Sequence, residues 1–257
     1  MMMRFLTATL LVIGMLIAAP QPGDAQENHQ ENTGPNINVT REIVGTLRLQ
    51  TKSDKRYRGV EEWRLFVHPD DSRTMMLSKD FIAANALQIM TAHVDANFRP
   101  IDVYATYWVP GGYRGSIRVG VDGSKLRAVS EGPAGPYAEE VNVPEEISVV
   151  THGEAMNGWY LWQGQRDADG NHQATYYNFN PAADGSESVR GRLHPATFKY
   201  LGEETITVPA GTFETERYLL TNIEIWITGE HRILVKQAIT DEDKEYVLTH
   251  LKDVVVD

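Results

Sequence analysis

Three side chains with acid–base chemistry cluster near the middle of the chain. His152 stands beside Gly153 and ahead of an Asn157-Gly158 turn, Tyr160 belongs to the run Trp159-Tyr160-Leu161-Trp162, and Tyr176 follows at the end of a loop-rich stretch. An imidazole or phenol among aromatic walls can move a proton to or from an apolar substrate. The same residues, with Trp159 and Trp162 as walls, also suit a simple binding pocket. Two further stretches supply guanidinium groups. In residues 113–121, Arg114, Ser116 and Arg118 lie opposite Ile117, Val119 and Val121; in residues 61–67, Glu62 and Arg64 lie opposite Trp63, Leu65 and Val67. Turned inward beside Tyr104, these arginines would hold a carboxylate or phenolate among aromatic rings. Turned outward, they are a solvated face.

Other motifs are turns. Asp167-Ala168-Asp169-Gly170-Asn171 has its glycine too early for a calcium loop, and Asn178 stands where the bidentate glutamate would be. His68-Pro69-Asp70-Asp71-Ser72 is likewise good turn chemistry. There is no G-x-S-x-G elbow, no H-E-x-x-H, no Walker A and no Rossmann fingerprint. No metal and no cofactor is therefore expected. The absence of cysteine removes disulfides, thiolate metal sites, thiol nucleophiles and a lipobox. A formal net charge of -11 repels phosphate backbones and anionic lipid, so nucleic acid is not an expected partner.

The elements that must position these groups read as strands. Apolar residues alternate in short runs separated by turn signals such as Pro110-Gly111-Gly112 and Asp122-Gly123. One meander is expected over residues 101–129, after strands at 61–67 and 87–94. A second is expected over 205–208, 213–227, 231–239 and 245–255. Residues 131–200 between them are richer in Gly, Pro and Asn, and a helical turn or two is expected at 80–86 or 144–149. Eleven or more antiparallel strands must curl to hide their edges. The fold class is thus all-β: a large, strongly curved antiparallel sheet, half-barrel or open barrel, with little helix and a concave face for a ligand.

At the N-terminus, Arg4 precedes an apolar core around residues 10–19, and small residues at Gly23 and Ala25 place a cleavage before Gln26. That is signal-peptide layout. A membrane-spanning helix needs about 20 apolar residues, so no stable membrane insertion after processing is expected. Residues 26–40 read as a flexible polar leader and 41–257 as a single β domain, periplasmic or secreted. Nothing in the sequence sets an oligomeric state.

The segment Val208-Pro209-Ala210-Gly211-Thr212-Phe213-Glu214-Thr215, with Ile225-Trp226-Ile227 and Tyr246-Val247-Leu248, resembles the C-terminal half of DUF3108-like exported proteins. A fainter echo is Glu62-Trp63-Arg64 through His68-Pro69-Asp70. Those proteins are similar in turn to the LolA and LolB half-barrels. The resemblance implies a curved sheet around an apolar cavity and transfers no functional residue.

Three functions follow as expectations. The first is an exported protein binding an apolar or aromatic small molecule in the concavity. The second is a cofactor-independent lyase or isomerase in the same cavity, with His152, Tyr160 or Tyr176 moving a proton and Arg114 or Arg118 holding an oxyanion. The third is an envelope structural or interaction protein.

Overall fold

The computed structural model describes residues 38–81, 86–109, 112–161, 167–180 and 187–256. The expected signal peptide (1–25) and most of the expected leader lie outside the described residues. From Asn38 onward the chain forms one compact unit. None of its described helices is long and apolar enough to cross a membrane.

The elements run β1 (Arg41–Gln50), β2 (Tyr57–Val67), β3 (Arg73–Phe81), β4 (Ala86–Val94), β5 (Pro100–Val109), β6 (Gly112–Asp122), β7 (Lys125–Glu131), β8 (Tyr137–Asn142) and β9 (Ile147–Val150). A 3-10 turn (Glu154–Met156) then leads into the one-turn helix α1 (Asn157–Tyr160). The remaining strands are β10 (Asn171–Asn180), β11 (Arg190–Val208), β12 (Gly211–Leu220), β13 (Ile223–Thr228), β14 (Ile233–Ile239) and β15 (Lys244–Val255). All join one curved sheet in the order β8 to β1, then β15 down to β9. Every pair is antiparallel except β9 with β10.

This order dictates the curvature. The two edges, β8 and β9, are consecutive in the chain, separated only by residues 143–146. Such a link spans at most about 18 Å, whereas fifteen strands laid flat would cover roughly 67 Å. The sheet must therefore curl until its edges approach. Side chains bridge the remaining seam: the Tyr177 hydroxyl donates to Glu139 Oε1, Ser188 Oγ donates to the Gly135 carbonyl at 2.8 Å, and the Arg190 guanidinium lies 4.5 Å from the Tyr137 ring centroid.

Alternation fills the interior. Leu47, Trp63, Leu65, Met75, Leu77, Met90, Tyr107 and Ile117 point inward from β1 to β6 and are buried. The central segment, expected to be loop-rich, in fact contributes β8, β9, β10 and the first half of the nineteen-residue β11. The helical turn expected near 144–149 is instead the buried strand β9, and at 80–81 the chain is strand, with 82–85 outside the described residues. The stretch 213–227, expected as one strand, breaks into β12 and β13 at Thr221-Asn222, where Thr221 takes a left-handed φ of 55°. Strands β1 and β3, which the sequence reading passed over, sit at the middle of the sheet.

One close approach holds the central strands together. Gly45 on β1 lies opposite Trp63 on β2, and a Cβ at Gly45 would fall 2.1 Å from the indole Cζ2. Overpacking of this kind costs about 1–3 kcal/mol. Gly45→Ala should lower the urea midpoint accordingly, and adding Trp63→Leu should cost less than the sum of the two single changes, because the clash is gone. Strictly additive losses would refute this packing.

Candidate functional site

The site grows from a breach of strand grammar. On β2 the inward set is Glu61, Trp63, Leu65 and Val67, and on β3 it is Met75, Leu77 and Lys79. Glu61 and Lys79 are register partners, and both side chains are almost wholly enclosed, at 0% and 3% exposure. A charge in such a position must find partners or neutralise. The partners come from residues 151–161, which run through the barrel's interior.

Gly153 precedes the 3-10 turn and has no side chain to cap it. Glu61 does so from β2 instead: its Oε2 accepts from Glu154 N at 2.9 Å and its Oε1 from Ala155 N at 2.6 Å. A carboxylate here satisfies two otherwise orphaned donors. Lys79 Nζ donates to the His152 carbonyl at 2.7 Å and to Glu154 Oε1 at 2.6 Å, and lies 3.9 Å from Glu61. The other Glu154 oxygen accepts from Asn157 Nδ2 at 2.8 Å and Gln237 Nε2 at 2.7 Å. Glycines let the segment fit: a Cβ at Gly153 would meet Leu77 at 2.5 Å, and one at Gly158 would meet the Arg232 carbonyl at 2.1 Å.

Charge states follow from these contacts. Burial pushes the Glu61 carboxyl up to about 7, against the pull of Lys79 and the two backbone donors. Burial also pushes Glu154 upward, but Lys79 and the Gln237 hydrogen bond outweigh it and hold the group below the usual carboxylate range. Burial lowers His152, so its ring is neutral near pH 7, although the Glu154 charge opposes the shift. The Tyr160, Tyr176 and Tyr246 phenols are pushed up, first by burial, and stay protonated.

Beside this cluster lies a cavity of about 320 Å³. Its floor is two inward rows of the sheet. Lys244, Ile239, Ile223 and Leu220 are successive register partners at the rim, next to the turns at 221–222 and 240–243; Tyr246, Gln237 and Ile225 form the row below. Opposite stand His152, Glu154, Asn157 and Tyr160, with Tyr176 and Asn178 from β10. The hollow is thus apolar at its rim apart from Lys244 and polar at depth. Most polar groups here are already bonded to one another: the Tyr160 hydroxyl contacts Thr151 N at 3.2 Å, and the Tyr176 hydroxyl donates to the Tyr160 carbonyl at 3.4 Å. The His152 ring is hydrogen-bonded toward the Asn178 side chain and the Phe179 backbone. His152 also adopts a left-handed φ of 62°.

The structure therefore brings His152, Tyr160 and Tyr176 to one cavity. It does not bring the arginines there. Arg64 pairs with Glu42 at 2.8 Å and Arg118 with both oxygens of Asp102 at 3.1 and 2.9 Å, all on the outer surface, where Tyr104 lies across from Arg118. The reason is the pleat: burying Ile117 and Val119 on β6, and Leu65 and Val67 on β2, turns Arg118 and Arg64 outward. Arg114 is half-buried on β6 and does not line the cavity. Trp159 is core instead, its Nε1 donating to the His231 carbonyl at 3.1 Å and its ring 6.0 Å from Phe98. Trp162 lies outside the described residues. A larger hollow, about 730 Å³, opens elsewhere between the β11–β12 hairpin and residues 227–232, and four of its twelve lining residues are carboxylates, Glu203, Glu214, Glu216 and Glu230. The Asp167 and Asp70 segments are turns whose carboxylates accept backbone N–H groups.

Sequence reasoning missed Glu61, Lys79, Glu154, Asn157, Gln237 and Tyr246. The signal was present for three of them: Glu61, Lys79 and Gln237 are polar residues in phase with the buried set of their strands.

No family model matches the chain, and no curated protein is significantly similar to it. Among solved structures, it is similar to a beta-barrel-like protein of the domain of unknown function DUF1849 from Brucella abortus, at 12% identity and a TM-score of 0.49, covering 85% of this chain and 98% of that one. A DUF1089 family protein from Pseudomonas aeruginosa matches at 10% identity and a TM-score of 0.39, covering 68% of this chain and 87% of that one. A protein with a YmcC-like fold from Bacteroides fragilis matches at 12% identity and a TM-score of 0.28, covering 83% and 96%. None of the three is described as DUF3108-like or as a lipoprotein carrier.

The raised Glu61 carboxyl has a stability signature. Between about pH 4.5 and 7 the folded chain keeps a proton that the unfolded chain has released, so this contribution is complete below 4.5 and is lost as pH rises through 7. Relative to the parent, Glu61→Gln should therefore gain stability as pH rises from 5 to 7, on the order of 2 kcal/mol in the difference. Denaturant titrations at several pH values would measure it; a constant difference would sink the assignment.

Proposed function

We propose that the chain is an exported binding protein that holds a small apolar or aromatic molecule in the cavity beside α1. The observation that carries this reading is the layering of that cavity. Leu220, Ile223 and Ile239 form an apolar rim, while the facing wall carries His152 and Asn178, an imidazole and an amide that bond to each other and keep further hydrogen-bonding capacity. Buried polar groups are ordinarily satisfied, and a ligand bearing both a donor and an acceptor would complete them. At about 320 Å³ the hollow is at the small end of the range for small-molecule sites. The N-terminal charged and apolar segment with small residues before Gln26 supports export.

Proton-transfer chemistry is the second reading, favoured by one observation. A neutral His152 and the protonated Tyr160 and Tyr176 line the same cavity, which is a base beside two acids. Binding is preferred because both phenol hydroxyls are engaged within the protein.

Calorimetric titration with 2-phenylethanol, a neutral aromatic probe, tests the binding reading. Saturable heat is expected, and Ile223→Phe, which crowds the rim, should weaken binding at least tenfold while leaving the fold intact by circular dichroism. No heat, or unchanged binding in the variant, would overturn it. Conversion of a bound carbonyl compound that disappears in His152→Ala would establish catalysis instead.

A further inference from the structure

We infer that the ligand carries an amine: the cavity is built to take an ammonium group on a compact apolar body, in preference to a carboxylate. This rests on the binding reading above and names the class of molecule bound.

The ionised wall is the first ground. The enclosed cluster sets Glu61, whose raised carboxyl keeps its proton up to about pH 7, and an ionised Glu154 against a single ammonium, Lys79. Glu154, which lines the cavity, makes its ion pair with Lys79 on the far side at 2.6 Å. His152 beside it is held neutral by burial and adds no positive charge. A ligand carboxylate at the deep end would meet Glu154 in a medium where like charges repel strongly. A ligand ammonium would instead meet an ionised carboxylate at the cavity wall.

Aromatic walls are the second ground. Tyr160, Tyr176 and Tyr246 all line the hollow, and ring faces attract ammonium groups, most strongly when water is excluded. The chain already shows this recognition beside the hollow. Lys79 Nζ sits 5.1 Å from the Tyr246 ring centroid and 4.4 Å from that of Phe81 while bonded to Glu154. The opposing charge is Lys244, half-buried in the rim row, whose Nζ lies 5.9 Å from the Tyr246 ring centroid, so the ligand's ammonium would rest chiefly on Tyr160 and Tyr176.

A matched series decides the matter: 2-phenylethylamine, 2-phenylethanol and 3-phenylpropionate, titrated calorimetrically at one pH and ionic strength. The amine should bind at least tenfold more tightly than the alcohol, and the carboxylate least of all. Glu154→Gln should erase the amine's advantage over the alcohol. Because that change could disturb folding, Lys244→Met serves as a second variant: it should raise the amine-to-alcohol affinity ratio severalfold. Equal affinity for amine and alcohol, or tighter binding of the carboxylate, overturns the inference while the binding reading stands. Failure of all three probes to bind would instead remove the binding reading itself.

Discussion

The Glu61 carboxylate is the contact on which the interior depends. Barrels of about eight strands are just wide enough for their own side chains to fill. Fifteen strands curled until their edges nearly meet enclose more space than that, and residues 151–161 occupy it. A backbone segment inside a barrel brings polar groups with it, each of which needs a partner. Glu61 takes the first two exposed N–H groups of the turn, Lys79 takes the His152 carbonyl, and the Lys79 charge is answered by Glu154. Remove one and the others each lose a partner in a buried setting, which is why such groups act as a network.

Much of the sheet was legible because period-2 alternation is a local property. Trp63, Leu65 and Val67 on β2, or Val103, Ala105 and Tyr107 on β5, declare an inward face with no knowledge of what they meet. Turn positions were legible where glycine or proline marks them. They were not where a β-turn uses ordinary residues: Thr221 adopts a left-handed φ with nothing in its type to announce it, so β12 and β13 looked continuous. The helix went unread for a different reason. One turn is too short to show a 3.6-residue period, and its cap comes from a residue 93 positions earlier.

The site divides along the same line. His152, Tyr160 and Tyr176 were found by residue type and proximity in sequence, and a short helix followed by an adjoining strand suffices to bring them together. The arginines were proposed from their chemistry, without applying the pleat to it. Once Ile117 and Val119 are assigned to the core, Arg118 must face outward, and the exposed Asp102 is its partner. The same rule, applied to Glu61 and Lys79, places charges in the core. A polar residue in phase with a buried face says more about function than one out of phase, because burial has to be compensated.

Why the hollow lies where it does follows from side-chain size on the two halves of the sheet. The inward positions of β2 to β5 carry the larger Trp63, Met75, Met90 and Tyr107, all fully buried. Those of β13 and β14 that line the hollow carry Ile223, Ile225, Gln237 and Ile239, of which Gln237 reaches the segment through hydrogen bonds to Glu154 and Asn157. A sheet that can pack indole and thioether groups on one side could pack them on the other, and doing so would gain the burial that an unfilled core gives up. Smaller side chains around a polar floor are the arrangement expected if the missing volume belongs to a ligand, and the unfilled half is also the half that holds His152 and Glu154.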